Sequence, residues 1–134
     1  MGRMLSSKIR WSRSGVYQHW CPACKCRHEF PVEQPNAQGY RWRWNADLNK
    51  PSFEPSMRIK GREPIADGNE LDLQIEQLHA GIISELPYRS ITLCHYFLTD
   101  GKISYCQDCP HELRGQTVDL PDWPEPYLSE FKNG

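Results

Sequence analysis

The sequence lacks any apolar run that approaches the ~18 residues of a membrane helix. Its first segment, residues 1–14, is basic but has no apolar core of the kind found in a secretory signal, so we expect a polar leader. Net charge is nearly absent, because 16 Lys and Arg oppose 17 Asp and Glu. Such a balance gives no long-range attraction to nucleic acid or anionic lipid. We therefore expect a cytoplasmic protein without membrane partners. Nucleic-acid binding, the weakest of the functions considered, would need a local patch such as the alternating Arg and Trp residues at 41–44.

Long periodic runs are scarce as well, whereas proline (11) and glycine (9) are frequent. In a chain of 134 residues this composition favours one small, loop-rich domain with a modest core. We expect a mainly β domain over residues 15–127, followed by a polar tail over residues 128–134. One short helix is predicted over residues 70–80, where apolar residues recur at helical spacing after the N-cap candidate Asn69.

The six cysteines indicate a metal site rather than disulfides, because thiols stay reduced in the cytosol. Cys21 and Cys24 form a CPxC knuckle, in which backbone N–H groups point at two thiolates that tetrahedral zinc can accept. Cys26 and His28 follow in the same segment and are further candidates. We predict a structural Zn²⁺, since a sulfur-rich set of four ligands leaves no open position for catalysis.

Residues 90–111 predict a central β-hairpin, with Asp100-Gly101 as its two-residue turn. This register makes Cys94 oppose Gln107 and His95 oppose Cys106. Because side chains alternate along a strand, two faces result. One face carries Cys94, Gln107 and Cys109, and the other carries His95, Cys106 and Asp108.

A one-residue bulge at the turn would exchange the faces of the second arm, so that Cys94 and Cys106 become neighbours. The two registers lead to two zinc sites. The first consists of Cys21, Cys24, Cys94 and Cys109, and the second of Cys21, Cys24, Cys106 and Cys109. The long separation between the cysteine pairs does not choose between them.

Ser56 stands in the segment PSFEPS, where two prolines stiffen the backbone. A serine on a rigid turn can act as a nucleophile if an imidazole reaches it. His95 and Asp108 offer such a base and its orienting carboxylate on one hairpin face.

The order of motifs resembles a family of small phage and bacterial zinc-binding proteins. Relatives of that family occur in bacterial ubiquitin-like conjugation operons and are regarded as peptidases. The resemblance covers residues 20–123 and rests on six motifs: CPxC-x3-H at 21–28, WxWN at 42–45, PSFxPS at 51–56, CHxF with DG at 94–101, DCxH at 108–111 and GQTVDLP at 115–121. The chain departs from the pattern at Ala46, Tyr96 and Cys106, and its stretch 61–88 is longer than usual.

The resemblance implies a zinc-stabilised serine hydrolase, a peptidase in a bacterium or an infected host cell, that acts on a protein or peptide. Ser56 would be the nucleophile, His95 or His111 the base, and Asp108 the orienting carboxylate. Structural zinc would be held by Cys21, Cys24 and Cys94, with Cys109 as the expected fourth ligand and His28, Cys26 and Cys106 as rivals. The alternative is a zinc-stabilised module without enzymatic activity that docks on a host or virion protein.

Overall fold

The computed structural model describes residues 2–133 and is mainly β, as predicted, with two antiparallel sheets. The strands of the first sheet follow one another in chain order: β1 (Arg3–Met4), β2 (Arg10–Arg13), β3 (Val16–Cys21) and β4 (Cys26–Pro31). The second sheet is also in chain order: β5 (Arg43–Trp44), β6 (Phe53–Pro64), β7 (Tyr88–Thr99), β8 (Lys102–Tyr105) and β9 (Thr117–Asp119).

Aromatic side chains from the two sheets pack against each other to form the core. Phe30 of the first sheet stacks on Phe53 of the second, with ring centroids 4.1 Å apart. Trp44 stacks on the same Phe53 at 5.7 Å. Burying an aromatic ring contributes about 1.5–3 kcal/mol, so this stack stabilises the junction between the sheets. It also fixes the start of β6, just before Ser56.

The first residues are part of the fold, although we expected a polar leader over residues 1–14. They contribute β1 and β2 to the first sheet, and Ile9 is completely buried. Trp123 contacts this N-terminal segment, because its indole Nε1–H donates to the Lys8 carbonyl at 2.9 Å. A second helix, α2 (Tyr127–Asn133), covers most of the segment 128–134, for which we expected a polar tail.

Helix α1 spans Gly68–His79 and connects the two long strands β6 and β7. Its N-cap is Asp67, so the predicted cap at Asn69 is wrong. None of its residues is buried. Within residues 2–133, no helix is long and apolar enough to cross a membrane.

The β7–β8 hairpin has the predicted register. Asp100 and Gly101 have positive φ values of 51° and 74°, as a tight turn with two left-handed residues requires. Thr99 therefore pairs with Lys102, and Tyr96 pairs with Tyr105. The alternative with a bulge at the turn is wrong. Beyond the paired residues, Cys94 lies near Cys109, and His95 lies near Cys106 and Asp108, as the register predicts.

Candidate active site and thiol cluster

Ser56, His95 and Asp108 form a continuous chain of polar contacts on one face of the second sheet. Ser56 Oγ lies 3.3 Å from His95 Nε2. On the other side of the ring, His95 Nδ1 lies 3.0 Å and 3.1 Å from the two carboxylate oxygens of Asp108. The His95 side chain is 24% exposed and that of Asp108 is 44% exposed, so solvent and substrate can reach the group. The serine hydroxyl, the imidazole and the carboxylate thus stand in the order that these three groups have in serine hydrolases.

An irregularity in β6 presents Ser56 to the imidazole. Phe53 pairs with Leu98, but the next pair is Met57 with Tyr96, so residues 54–56 stand opposite a single residue of β7. Pro55 has no N–H to offer the ladder, which suits such a bulge. The Ser56 carbonyl accepts the Trp42 indole N–H at 3.3 Å, and this contact anchors the bulge to the core.

The backbone of His95 is held from behind by a buried cysteine. The His95 N–H donates to Cys109 Sγ at 3.2 Å, and the Cys109 thiol donates to the His95 carbonyl at 3.0 Å. Asp108 precedes Cys109 in a turn that follows β8, closed by the Cys109 N–H donating to the Cys106 carbonyl at 3.3 Å. The sulfur of Cys106 lies near His95 and Asp108, on the face that the register predicts.

His111 lies away from Ser56. Its Nε2 is 3.5 Å from Cys94 Sγ, and its ring packs edge-on against Tyr105 with centroids 4.7 Å apart. Of the two imidazoles that the sequence offered as a base, His95 is therefore the one that contacts Ser56.

The opposite face of the hairpin carries a cluster of thiols. Ligand atoms of Cys21, Cys24, His28 and Cys94 all lie within 4.8 Å of one another. Cys109, which we expected as the fourth ligand, belongs to a second group with Cys94 and His111. His28 joins the first group because β3 and β4 pair, which places it opposite His19 and two residues beyond Cys26. These Cys and His side chains could hold a metal ion.

The family model of BubE, described as "Bacterial ubiquitination-like system serine protease", matches residues 3–106. This chain belongs to the BubE family. The match includes Ser56 and His95 and the four residues of the first thiol group, and it ends just before Asp108. No curated protein and no solved structure matches the chain significantly.

The electrostatics of this BubE-family chain favour a thiolate at Cys21. Hydrogen bonding from Cys94, then from the Tyr105 hydroxyl at 3.1 Å, lowers the pKa of Cys21 to about 4. Burial, followed by the nearby Cys21, raises the pKa of Cys24 to about 12. The pKa of Cys94 is also raised, because its thiol donates to Cys21 and is desolvated. A divalent cation would supply the positive charge that lets all three thiols ionise together.

A buried hydrogen-bonded chain stands behind His28. Its Nδ1 lies 2.9 Å from the hydroxyl of Tyr96, which also contacts Nε2 of His19. Tyr96 has a single proton, so it can accept from one imidazole and donate to the other. Tyr96 is completely buried, and strand alternation directs its side chain to the face opposite His95 and Ser56.

Proposed function

We propose that this BubE-family chain is a serine peptidase in which Ser56 is the nucleophile, His95 the general base and Asp108 the carboxylate that orients the imidazole. The observation that supports it is the contact chain from Ser56 Oγ to His95 Nε2 at 3.3 Å and from His95 Nδ1 to Asp108 at 3.0 Å. A distance slightly beyond an ideal hydrogen bond is common when no substrate is bound. The family description, which names a serine protease, agrees with this chemistry.

In the proposed reaction, Ser56 Oγ attacks the carbonyl carbon of the scissile bond while its proton moves to His95 Nε2. His95 then donates that proton to the leaving amine, and an acyl group remains on Ser56. Water, deprotonated by the same imidazole, releases the acyl group and restores the hydroxyl. Asp108 accepts a hydrogen bond from His95 Nδ1–H throughout the reaction and stabilises the imidazolium as it forms.

We also propose a structural Zn²⁺ held by Cys21, Cys24, Cys94 and His28. Three sulfurs and one imidazole nitrogen are a common ligand set for closed tetrahedral zinc. The contact of His28 Nδ1 with Tyr96 leaves Nε2 available as the ligand atom. When bound, zinc would supply folding energy by joining the β3–β4 hairpin to β7. Cys94 precedes His95 in the chain, so the metal would also steady the base.

The substrate we propose is a protein or peptide of a bacterial ubiquitin-like system, cleaved on an extended segment. The family description supports the protein substrate and the system. We place the reaction in the cytoplasm of a bacterium or an infected cell, because thiols that bind zinc stay reduced there. The alternative of a module without catalysis does not explain why Ser56, His95 and Asp108 converge.

Labelling with a fluorophosphonate probe, read by intact mass, tests the nucleophile. The wild type should gain one adduct, Ser56→Ala should gain none, and Ser90→Ala should react like the wild type. Ser90 is a suitable control because it is exposed and lies near the start of β7, where it pairs with Arg62, five residues before His95. An unmodified wild type, or an adduct that persists in Ser56→Ala, would refute the assignment.

A further inference from the structure

An open cleft of about 540 Å³ adjoins the proposed triad. Its lining includes Arg41, Arg43, Glu54, Pro55, Phe97 and Thr99. A volume of this size is typical of sites that hold small ligands or short peptide segments.

The cleft lies beside the triad, and two of its lining residues are close to triad residues in the chain. Pro55 directly precedes Ser56 in the chain. Phe97 stands two residues beyond His95 on β7, so both side chains point to one face, and their ring centroids are 6.5 Å apart. Thr99 extends this face toward the hairpin turn. A chain whose carbonyl lies at Ser56 Oγ can therefore continue into the cleft.

The floor of the cleft is apolar and uncovered. Phe97 is 51% exposed, whereas its neighbours in β7, Tyr96 and Leu98, are buried at 0% and 1%. An aromatic ring that remains in water beside a nucleophile offers an apolar side chain of a substrate a surface to pack against.

The wall of the cleft has an excess of positive charge. Arg43 is paired with Glu54 at 2.6 Å, so these two charges offset each other. Arg41 is exposed and, among the contacts of residues 2–133, it has no ion pair. The charged lining of the cleft is therefore two arginines against one glutamate, which favours an anionic ligand.

We propose that this cleft is a substrate subsite that binds a short segment next to the scissile bond, with an apolar side chain on Phe97 and a carboxylate at Arg41. The carboxylate comes either from an acidic side chain or from the end of the substrate chain. The role of the subsite in cleavage rests on the proposed function, but its ligand preference does not require turnover. Arg41 and Phe97 thus act in specificity, and Ser56 and His95 act in bond breaking.

Binding of dansyl-labelled peptides to the Ser56→Ala protein, followed by anisotropy at low salt, measures this preference without cleavage. The four probes are Gly-Gly-Phe-Asp-amide, Gly-Gly-Phe-Asn-amide, Gly-Gly-Phe with a free carboxylate, and Gly-Gly-Phe-amide. We expect at least one anionic peptide to bind about fivefold more tightly than its neutral counterpart, as exposed Arg–carboxylate pairs allow. The Asp and free-carboxylate probes distinguish the two sources of the charge.

Two variants and a control complete the test. Arg41→Glu should abolish the preference for the anionic peptides. Phe97→Ala should lower the affinity for all four peptides by the same factor. Lys132→Glu, an equal change of charge in α2, should leave the preference intact. With Ser56 present, Arg41→Glu should still react with a small fluorophosphonate at the wild-type rate.

Equal binding of anionic and neutral peptides would overturn the subsite, as would the absence of binding by all four or a preference that survives Arg41→Glu. A wild type that gains no fluorophosphonate adduct would instead contradict the proposed function. The failure of the subsite and the failure of the proposed function can therefore be told apart.

Discussion

Cys94 and His95 are neighbours in β7, yet their side chains lie in opposite environments. Cys94 is completely buried among thiols and imidazoles, whereas His95 is partly exposed between a hydroxyl and a carboxylate. Strand alternation alone sends them to opposite faces of the sheet. The desolvated face suits metal binding and stability, and the accessible face suits catalysis. The proposed zinc ligand and the proposed base are therefore adjacent in one strand but lie on opposite faces of the sheet.

Removal of a thiol from the buried face should have the largest effect, because it should reduce zinc binding, stability and activity together. Cys94→Ser should lose bound zinc and lower the free energy of unfolding by roughly 3 kcal/mol or more, since structural zinc contributes much of the stability of small domains. Activity should fall with it, because His95 is the next residue. Zinc content by mass spectrometry and thermal unfolding measure the change.

Cys26→Ser is the matched control for that experiment, since Cys26 is exposed. It should keep one zinc per chain and an unchanged melting temperature. Zinc retained in Cys94→Ser would remove Cys94 from the metal site.

A change on the accessible face should affect catalysis alone. Asp108→Asn should lower kcat/KM by about 10²–10⁴-fold, because the amide no longer fixes the imidazole in the required tautomer or stabilises its charged form. Zinc content and melting temperature should stay at wild-type values. Asp119→Asn is the control, since its carboxylate pairs with Lys102 at 2.7 Å on another strand. A comparable loss in Asp119→Asn would mean that the effect is not specific to the triad.

The contact behind His28 should have a moderate effect. Tyr96→Phe removes the hydroxyl that lies 2.9 Å from His28 Nδ1 and should weaken zinc binding by about 10–100-fold. Competition with a chelator measures the affinity directly. Tyr40→Phe, at a residue that is 62% exposed, should leave the affinity unchanged. Equal zinc affinity in Tyr96→Phe and the wild type would exclude a positioning role for Tyr96.

The smallest effect should come from a site that belongs to neither face. Hydrogen bonds from the Lys50 and Asn49 N–H groups lower the pKa of the Asp47 carboxyl below its usual 3.8. This carboxylate therefore contributes stability above pH 3.8, and the contribution is lost as the pH falls through its lower folded pKa. Asp47→Asn, which keeps an acceptor but does not titrate, should show a slightly flatter fall in melting temperature below pH 4. An identical pH dependence would show that Asp47 contributes nothing.

The sequence predicted the local part of this arrangement well. Asp100-Gly101 fixes the hairpin register through its backbone preferences, and alternation then separates Cys94 from His95. Mainly β structure followed from the scarcity of helical periodicity. These features depend on residues that are close in the chain.

The parts that depend on distant pairing were not accessible from spacing. Ser56 meets His95 because three residues of β6 stand opposite one residue of β7. Pro55 is compatible with an interrupted ladder, but it does not show which residue of β7 lies opposite. His28 lies beside Cys94 because the first sheet packs on the second, although the CPxC-x3-H motif contained it. Strands β1 and β2 have two and four residues, which is too short for a periodic pattern.

The central claim is that one molecule carries a zinc on one hairpin face and an activated serine on the other. Native mass spectrometry after fluorophosphonate treatment tests it most directly. The wild type should carry one zinc and one adduct together, Ser56→Ala one zinc without an adduct, and Cys94→Ser no zinc. Wild-type molecules that carry either the adduct or the zinc but never both, or an adduct on Ser56→Ala, would contradict the account.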